Sequence, residues 1–316
     1  MNLLITGAWT GADKYISQIE GMGHKVVFLQ QEKESLPCAY DWVEGVIGNG
    51  LFLYHPMILF PNLRYIQLTS AGYDRVPMEE VSSRGIKIHS ARGVYSIPMA
   101  EFAVAGVLDL YKDMAGFRKK QTEHRWLKNR GLRELYGKRV VIVGCGSVGT
   151  ECAKRFKAFG CEVVGVEQTE RKGSATNADK AESTCESIRQ PDHFDSIVTS
   201  VMLDEMLALA DIVILALPLT AQTRGMIDER KLHLMGESAV LVNISRGAIV
   251  DQGALEKWNG AAVLDVFEEE PLRMDSPLWD RENVIITPHN SFVGDGNEER
   301  LCGVIVENLR KLLTDE

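Results

Sequence analysis

The sequence predicts an α/β protein made of two doubly wound parallel sheets, and three observations lead there. Short β-branched apolar runs alternate with helical or turn segments between residues 3 and 88. A second series of such runs begins near residue 139, headed by Lys138-Arg-Val-Val-Ile-Val-Gly-Cys-Gly-Ser-Val-Gly-Thr-Glu151. That series opens near the middle of a 316-residue chain, which fits one domain inserted into another. Alternation of this kind is what parallel sheets covered by helices require.

In order along the chain, Leu3–Thr6, Val26–Leu29, Gly45–Gly48, Tyr65–Thr69 and Ile86–Ile88 read as the strands of a first, small domain. The loop Thr6-Gly-Ala-Trp-Thr-Gly-Ala12 reads as a strand-to-helix turn. It loosely resembles the first loop of short-chain dehydrogenases, but no tyrosine here has a lysine four residues on, as that family's proton-transfer pair requires. Leu68-Thr-Ser-Ala-Gly-Tyr-Asp74 leaves a strand with small residues, and such a loop can turn consecutive N–H groups toward an anion. Ile97–Phe117 is expected to be one long helix, with Pro98 in its first turn.

Val140–Val143 has the composition of a strand buried on both faces. Gly144, Gly146 and Gly149 follow in G-x-G-x-x-G spacing, with Ser147 and Val148 between them. Cys152, Ala153, Phe156 and Phe159 then recur at helical intervals, closed by Gly160. In a strand–turn–helix setting this is the dinucleotide-binding pattern. One glycine makes the turn, one admits the pyrophosphate and one lets helix and strand pack closely, while the helix N-terminus offers free N–H groups to phosphate.

Glu162–Val166 is the next strand, ending at Glu167, 23 residues after Gly144. A carboxylate there accepts bonds from ribose hydroxyls and repels a 2′-phosphate, favouring NAD; Arg171 and Lys172 keep NADP open. Residues 170–194 are polar and carry no motif. Leu203–Ala210 reads as a helix. Asp211–Leu217, Ala239–Ile244, Ala261–Val266 and Val284–Thr287 read as strands. The last three lead to Arg246, Glu270 and His289 respectively, and ligands of open α/β sheets bind at the carboxyl ends of strands.

Composition narrows the class. The chain is 45% hydrophobic and 25% charged, as globular proteins are. No apolar run approaches the ~20 residues of a membrane span, and the N-terminal apolar run reads as a strand, not a signal peptide. Six cysteines without a C-x-x-C pair suggest reduced thiols in a cytoplasmic protein and no metal site. A formal charge of −9 disfavours nucleic acid and anionic membranes as partners.

The chain resembles the D-isomer-specific 2-hydroxyacid dehydrogenases over most of its length. The matching segments are Ser70-Ala-Gly-Tyr-Asp74, Val143–Gly149, Leu217-Pro-Leu-Thr220, Val242-Asn-Ile-Ser-Arg-Gly247, Leu264-Asp-Val-Phe267 with Glu270-Pro271, and Thr287-Pro-His289. The resemblance implies a Rossmann cofactor domain (97–289) inserted into a flavodoxin-like substrate domain (1–96 plus 290–316), with hinges that close a cleft and exclude water. It implies NAD-dependent reversible hydride transfer between a 2-keto acid and a D-2-hydroxy acid, carried out by a homodimer.

Residue by residue, Arg246 corresponds to the arginine that grips the substrate carboxylate and C2 oxygen. His289 corresponds to the acid/base, and Glu270 to the carboxylate that orients it. Ser70, Ala71 and Gly72 would hold the substrate carboxylate. Pro218, Leu219, Thr220 and Ile244 match cofactor-lining positions, and Asp265 matches the acid that contacts the nicotinamide carboxamide. Tyr73, Arg92, Tyr95 and Met99 are further pocket candidates. Two stretches depart from the family pattern: Trp258-Asn-Gly260, where the connection is short, and Asn290-Ser-Phe-Val-Gly294 after the histidine. The alternative function is an NAD(H)-sensing binding protein on the same fold, because fold alone does not settle activity.

Overall fold

Each of the two sheets is parallel throughout, and each has its own cores. The computed structural model describes residues 1–168 and 193–314. Arg171, Lys172, Cys185 and most of the polar 170–194 stretch lie outside the described residues.

The first unit spans residues 1–95 and the segment from Gly294 onward. Its strands are β1 (Asn2–Thr6), β2 (Lys25–Leu29), β3 (Gly45–Gly48), β4 (Tyr65–Leu68) and β5 (Lys87–His89), in the order β2-β1-β3-β4-β5. The two-residue period of a strand divides its side chains between two cores. Leu3, Ile5, Ile47 and Tyr65 pack with Leu301, Ile305 and Leu309 of the Asn297–Thr314 helix. Leu4, Val46, Ile66 and Ile88 pack on the opposite face with Phe60 and Val81. The C-terminal helix is also tied down by polar bonds: Asn308 Nδ2 donates to Gln67 Oε1 (2.9 Å) and Arg300 Nε to the Val94 carbonyl (2.8 Å). Glu32 holds the exit of β3, accepting from the N–H groups of Asn49 and Gly50 at 2.7 Å each and from the Thr6 hydroxyl at 2.8 Å.

The second unit lies between the two parts of the first, so it is inserted in the chain. Its strands are β6 (Arg139–Val143), β7 (Glu162–Glu167), β8 (Ser196–Thr199), β9 (Ile212–Leu215), β10 (Val240–Asn243), β11 (Ala261–Leu264) and β12 (Val284–Ile286). They run in the order β12-β11-β10-β9-β6-β7-β8. Counted from β6, this is the dinucleotide-binding order with a seventh strand added, and the order reverses at β6/β9. One core joins Val140, Ile142, Ile214, Val242 and Val263 to the helices Ser96–Tyr111 and Ser147–Ala158. The other joins Val141, Val213, Leu241 and Leu264 to Leu207, Leu232 and Leu255.

Two expectations are corrected, and one strand is added. The single helix expected over 97–117 is two, Ser96–Tyr111 and Met114–Thr122, broken where Asp113 takes φ +50°. The Asp113 carboxylate accepts from Asn129 Nδ2 (2.8 Å) and Lys120 Nζ (3.2 Å), and these partners hold its carboxyl below the usual carboxylate range. Phe159, expected on the buried helix face, is 44% exposed and lies just past the end of its helix. β8 had no counterpart in the sequence reading: it is an edge strand with mostly exposed side chains, so it lacks the apolar run that marks the others. Trp258 closes the short connection after the Gln252–Lys257 helix by burying its ring over Gly260.

Candidate active site

β10, β11 and β12 are neighbours in the sheet, and their exits carry Arg246, Glu270 and His289. After β10, the buried Asn243 shapes the turn. Its amide donates to the Arg246 carbonyl (3.1 Å), and its Oδ1 accepts from the Ser245 N–H and hydroxyl (3.2 and 3.0 Å). The next residue must be glycine, because a Cβ on Gly247 would lie 1.8 Å from the Phe267 carbonyl carbon. That close approach sets the Arg246 turn against the start of the loop carrying Glu270. Arg246 itself is half-buried, with Nη1 donating to the Ser245 carbonyl (2.8 Å).

Glu270 and His289 meet. His289 Nδ1 lies 2.8 Å from Glu270 Oε2, and Glu270 Oε1 accepts from the Phe267 N–H (3.0 Å). The carboxylate therefore favours the Nδ1–H tautomer and fixes the ring, leaving Nε2 as the nitrogen available to exchange a proton. The two side chains are 42% and 38% exposed. Phe292 stands edge-on to the imidazole with ring centroids 6.1 Å apart.

His289 sits at φ +50°, a conformation that is costly for a residue with a Cβ and must be held by its surroundings. Asp265, at the exit of β11, provides that support. Expected to contact the nicotinamide carboxamide, it is instead completely buried. Oδ1 accepts from the Thr287 hydroxyl (2.6 Å) and the Asn290 N–H (2.8 Å), and Oδ2 from the Ser291 N–H (2.9 Å). Its backbone carbonyl accepts the His289 N–H (2.8 Å). These bonds keep Asn290 to Val293 with the second unit, which ends after Val293. Asp265 thus builds the histidine loop. Thr287 takes part in the same construction, as Asn243 does in that of the Arg246 turn, and neither carries a role in the sequence pattern. Their signal was a polar residue at the end of an apolar strand.

The β6 exit suits a pyrophosphate. Gly144 takes φ +102°, and a Cβ on Gly149 would lie 2.0 Å from the Gly144 oxygen, so helix and turn touch backbone to backbone. No side chain caps the helix that begins at Ser147, which leaves its first N–H groups to a ligand. Gly144 to Val148 are half-exposed. On the adjacent strand, Glu167 ends β7, half-exposed. Beyond β9, Pro218 and Thr220 are exposed and Leu219 half-buried, their turn closed by Thr223 Oγ1 on the Pro218 carbonyl (2.8 Å). Ile244 departs from its expected lining role, because its side chain is buried in the core beneath.

In the first unit, Ser70, Ala71 and Gly72 leave β4 as an exposed to half-buried loop. Ser70 Oγ donates to the Gly72 carbonyl (2.9 Å), and the Ser70 carbonyl accepts from the Ala91 N–H (2.8 Å).

Residues 104–291 match the family model described as D-isomer specific 2-hydroxyacid dehydrogenase, NAD binding domain. That is more than half of the chain. The chain belongs to the D-isomer specific 2-hydroxyacid dehydrogenases. It is 33% identical over 261 residues to a glyoxylate reductase of Korarchaeum cryptofilum, covering 79% of this chain and 73% of that one. A crystal structure of a D-isomer specific 2-hydroxyacid dehydrogenase family protein from Aeromonas salmonicida superposes with a TM-score of 0.81 at 25% identity, covering 100% and 96% of the two chains. The family's structure from Xanthobacter autotrophicus in complex with NADPH and MES has a TM-score of 0.74 at 25% identity, with 100% and 95% covered. As a 2-hydroxyacid dehydrogenase, the chain is an oxidoreductase that interconverts 2-keto and 2-hydroxy acids with a nicotinamide dinucleotide. The turn at Gly144–Gly149 fits that cofactor on its own geometry. No helix among the described residues is long and apolar enough to cross a membrane, and no cluster of metal-ligating side chains is found among them.

Proposed function

We propose that this dehydrogenase reversibly reduces a small 2-keto acid to the D-2-hydroxy acid, with His289 as acid/base and NADH as the preferred donor. The observation carrying this reading is the 2.8 Å contact between His289 Nδ1 and Glu270 Oε2 beside the Arg246 turn. It leaves Nε2 to give a proton to the C2 oxygen during reduction and to take it back during oxidation. Glu270 holds the ring in place through that contact. Arg246, with planar paired donors, binds the substrate carboxylate and polarises the C2 carbonyl. In the first unit, the consecutive N–H groups of the Ser70–Gly72 loop suit a carboxylate, which makes the first unit the substrate domain and the second the cofactor domain. The bound nicotinamide supplies the hydride. Gly144–Gly149 would hold its pyrophosphate and Glu167 the ribose hydroxyls, while Pro218, Leu219 and Thr220 line its path. Glu167 supports NAD over NADP, although the Xanthobacter neighbour is a complex with NADPH.

A panel of glyoxylate, hydroxypyruvate, pyruvate and bulkier 2-keto acids with NADH and NADPH, followed at the nicotinamide absorbance, tests this reading. Turnover faster with NADH is expected, with glyoxylate included because the curated relatives carry that name. Tight NADH binding without turnover of any acid would overturn the reading in favour of a sensor. A homodimer through the second unit completes the proposal. It is supported by Met114, Trp126, Leu127 and Tyr136, which are exposed on that unit, and sedimentation as a 35.2 kDa species alone would contradict it.

A further inference from the structure

The Ser70–Gly72 loop has an asymmetry that points to one residue outside it. The Ser70 and Gly72 carbonyls, and that of Thr69 just before the loop, are held from within the first unit. The Ser70 carbonyl accepts from the Ala91 N–H, the Gly72 carbonyl from the Ser70 hydroxyl, and the carbonyl of the buried Thr69 from the Tyr95 phenol. The Thr69 N–H is tied to Gly48 of the neighbouring strand at 2.9 Å. By contrast, no acceptor among the described residues takes the N–H groups of Ser70, Ala71 or Gly72. A loop with three consecutive N–H groups open, and carbonyls on either side of Ala71 already bound, presents a partial positive charge.

We propose that Tyr95 is a positioning residue for the substrate carboxylate, anchoring the Thr69 carbonyl so that the following three N–H groups stay available to the acid. This rests on reading that loop as the carboxylate site. Tyr95 is suited to the task because it is itself held. It packs against the core that joins β1, β3 and β4 to the C-terminal helix. The carbonyl of the preceding Val94 accepts from Arg300 Nε at 2.8 Å, and Arg300 Nη2 donates to Asn297 Oδ1 at 2.9 Å. Tyr95 is also the last residue of the first unit, so its backbone is secured at the point where the chain leaves it. Burial pushes the phenol above the usual tyrosine range, so it remains a donor through neutral and mildly alkaline pH. Tyr95 is a pocket candidate by its sequence position, and this bond gives it a role in the support of the loop.

The test compares Tyr95→Phe, which keeps the packed ring and deletes the donor, with Ala71→Pro, which deletes one of the open N–H groups. The probe is whichever of glyoxylate, hydroxypyruvate and pyruvate is turned over fastest. Loss of one neutral hydrogen bond predicts a rise of about three- to tenfold in the acid's KM for Tyr95→Phe. Turnover number and KM for NADH should stay within about twofold, a split that general destabilisation does not produce. Ala71→Pro should also raise the acid's KM while leaving that for NADH unchanged. If Ala71→Pro raises it and Tyr95→Phe does not, the role of Tyr95 is overturned and the loop reading survives. If Ala71→Pro leaves the acid's KM unchanged with cofactor binding and thermal midpoint intact, the loop reading falls. Parallel losses in turnover number and in both KM values for Tyr95→Phe would mark a purely structural residue and overturn the proposal.

Discussion

Replacing Asp265 by asparagine isolates what a buried carboxylate does for His289, the proposed proton donor. The carboxylate accepts three bonds, from the Thr287 hydroxyl and the Asn290 and Ser291 N–H groups, all within 2.9 Å. An asparagine side chain of the same shape keeps one oxygen and turns an NH₂ group toward a donor. If the oxygen stays with Thr287 and Asn290, the N–H of the buried Ser291 loses its partner. An unsatisfied buried donor costs about 1–3 kcal/mol, and the surviving bonds lose their charge assistance. Together these give a destabilisation of about 2–4 kcal/mol. In a unit of this size each kcal/mol lowers the midpoint by about 2–4 °C, so a fall of roughly 4–16 °C is expected in thermal denaturation. His289 lies between the loosened partners in a conformation costing about 1–3 kcal/mol. Released, it relaxes away from Glu270, and turnover falls at least about tenfold, as expected when acid/base geometry is lost. Steady-state rates at the nicotinamide absorbance measure the second effect. An unchanged midpoint and turnover number with a raised KM for NADH would refute the argument, because the carboxylate would then be serving the cofactor directly.

Two further substitutions test the cofactor side. Gly149→Ala places a Cβ 2.0 Å from the Gly144 oxygen, so turn and helix must separate. Overpacking of this kind costs about 1–3 kcal/mol, and NADH affinity measured by calorimetry should fall about tenfold or more. Glu167→Gln removes the charge at the end of β7 that would repel a 2′-phosphate; the ratio of kcat/KM for NADPH to that for NADH should rise about tenfold, an effect of ~1.4 kcal/mol, and an unmoved ratio would place cofactor discrimination elsewhere.

Strands were legible where parallel packing buries them on both faces. Gly45–Gly48 was bounded exactly as observed, and Val140–Val143 differs by one residue, because nothing but the sheet interior explains such apolar runs. The edge strand Ser196–Thr199 escapes because most of its side chains face solvent and carry no pattern. The helix break at Asp113 depends on Asn129, sixteen residues away, and helical periodicity contains no such information. The same limit applied at the site. Arg246, Glu270 and His289 were visible as polar residues beyond consecutive strands. The burial of Asp265, the part played by Thr287 and Asn243, and the bond from Tyr95 to Thr69 each depend on contacts between segments far apart in sequence or on the exact path of a turn.

In the proposed reaction His289 moves the proton. His289→Ala removes the imidazole from an exposed loop whose backbone bonds to Asp265 remain, so the variant should keep its thermal midpoint and its affinity for NADH. Its turnover of the best 2-keto acid is predicted to fall by about 10²–10⁴-fold. Turnover within a few-fold of the unsubstituted enzyme, measured on folded, cofactor-binding protein, would contradict the assignment of His289 as the acid/base.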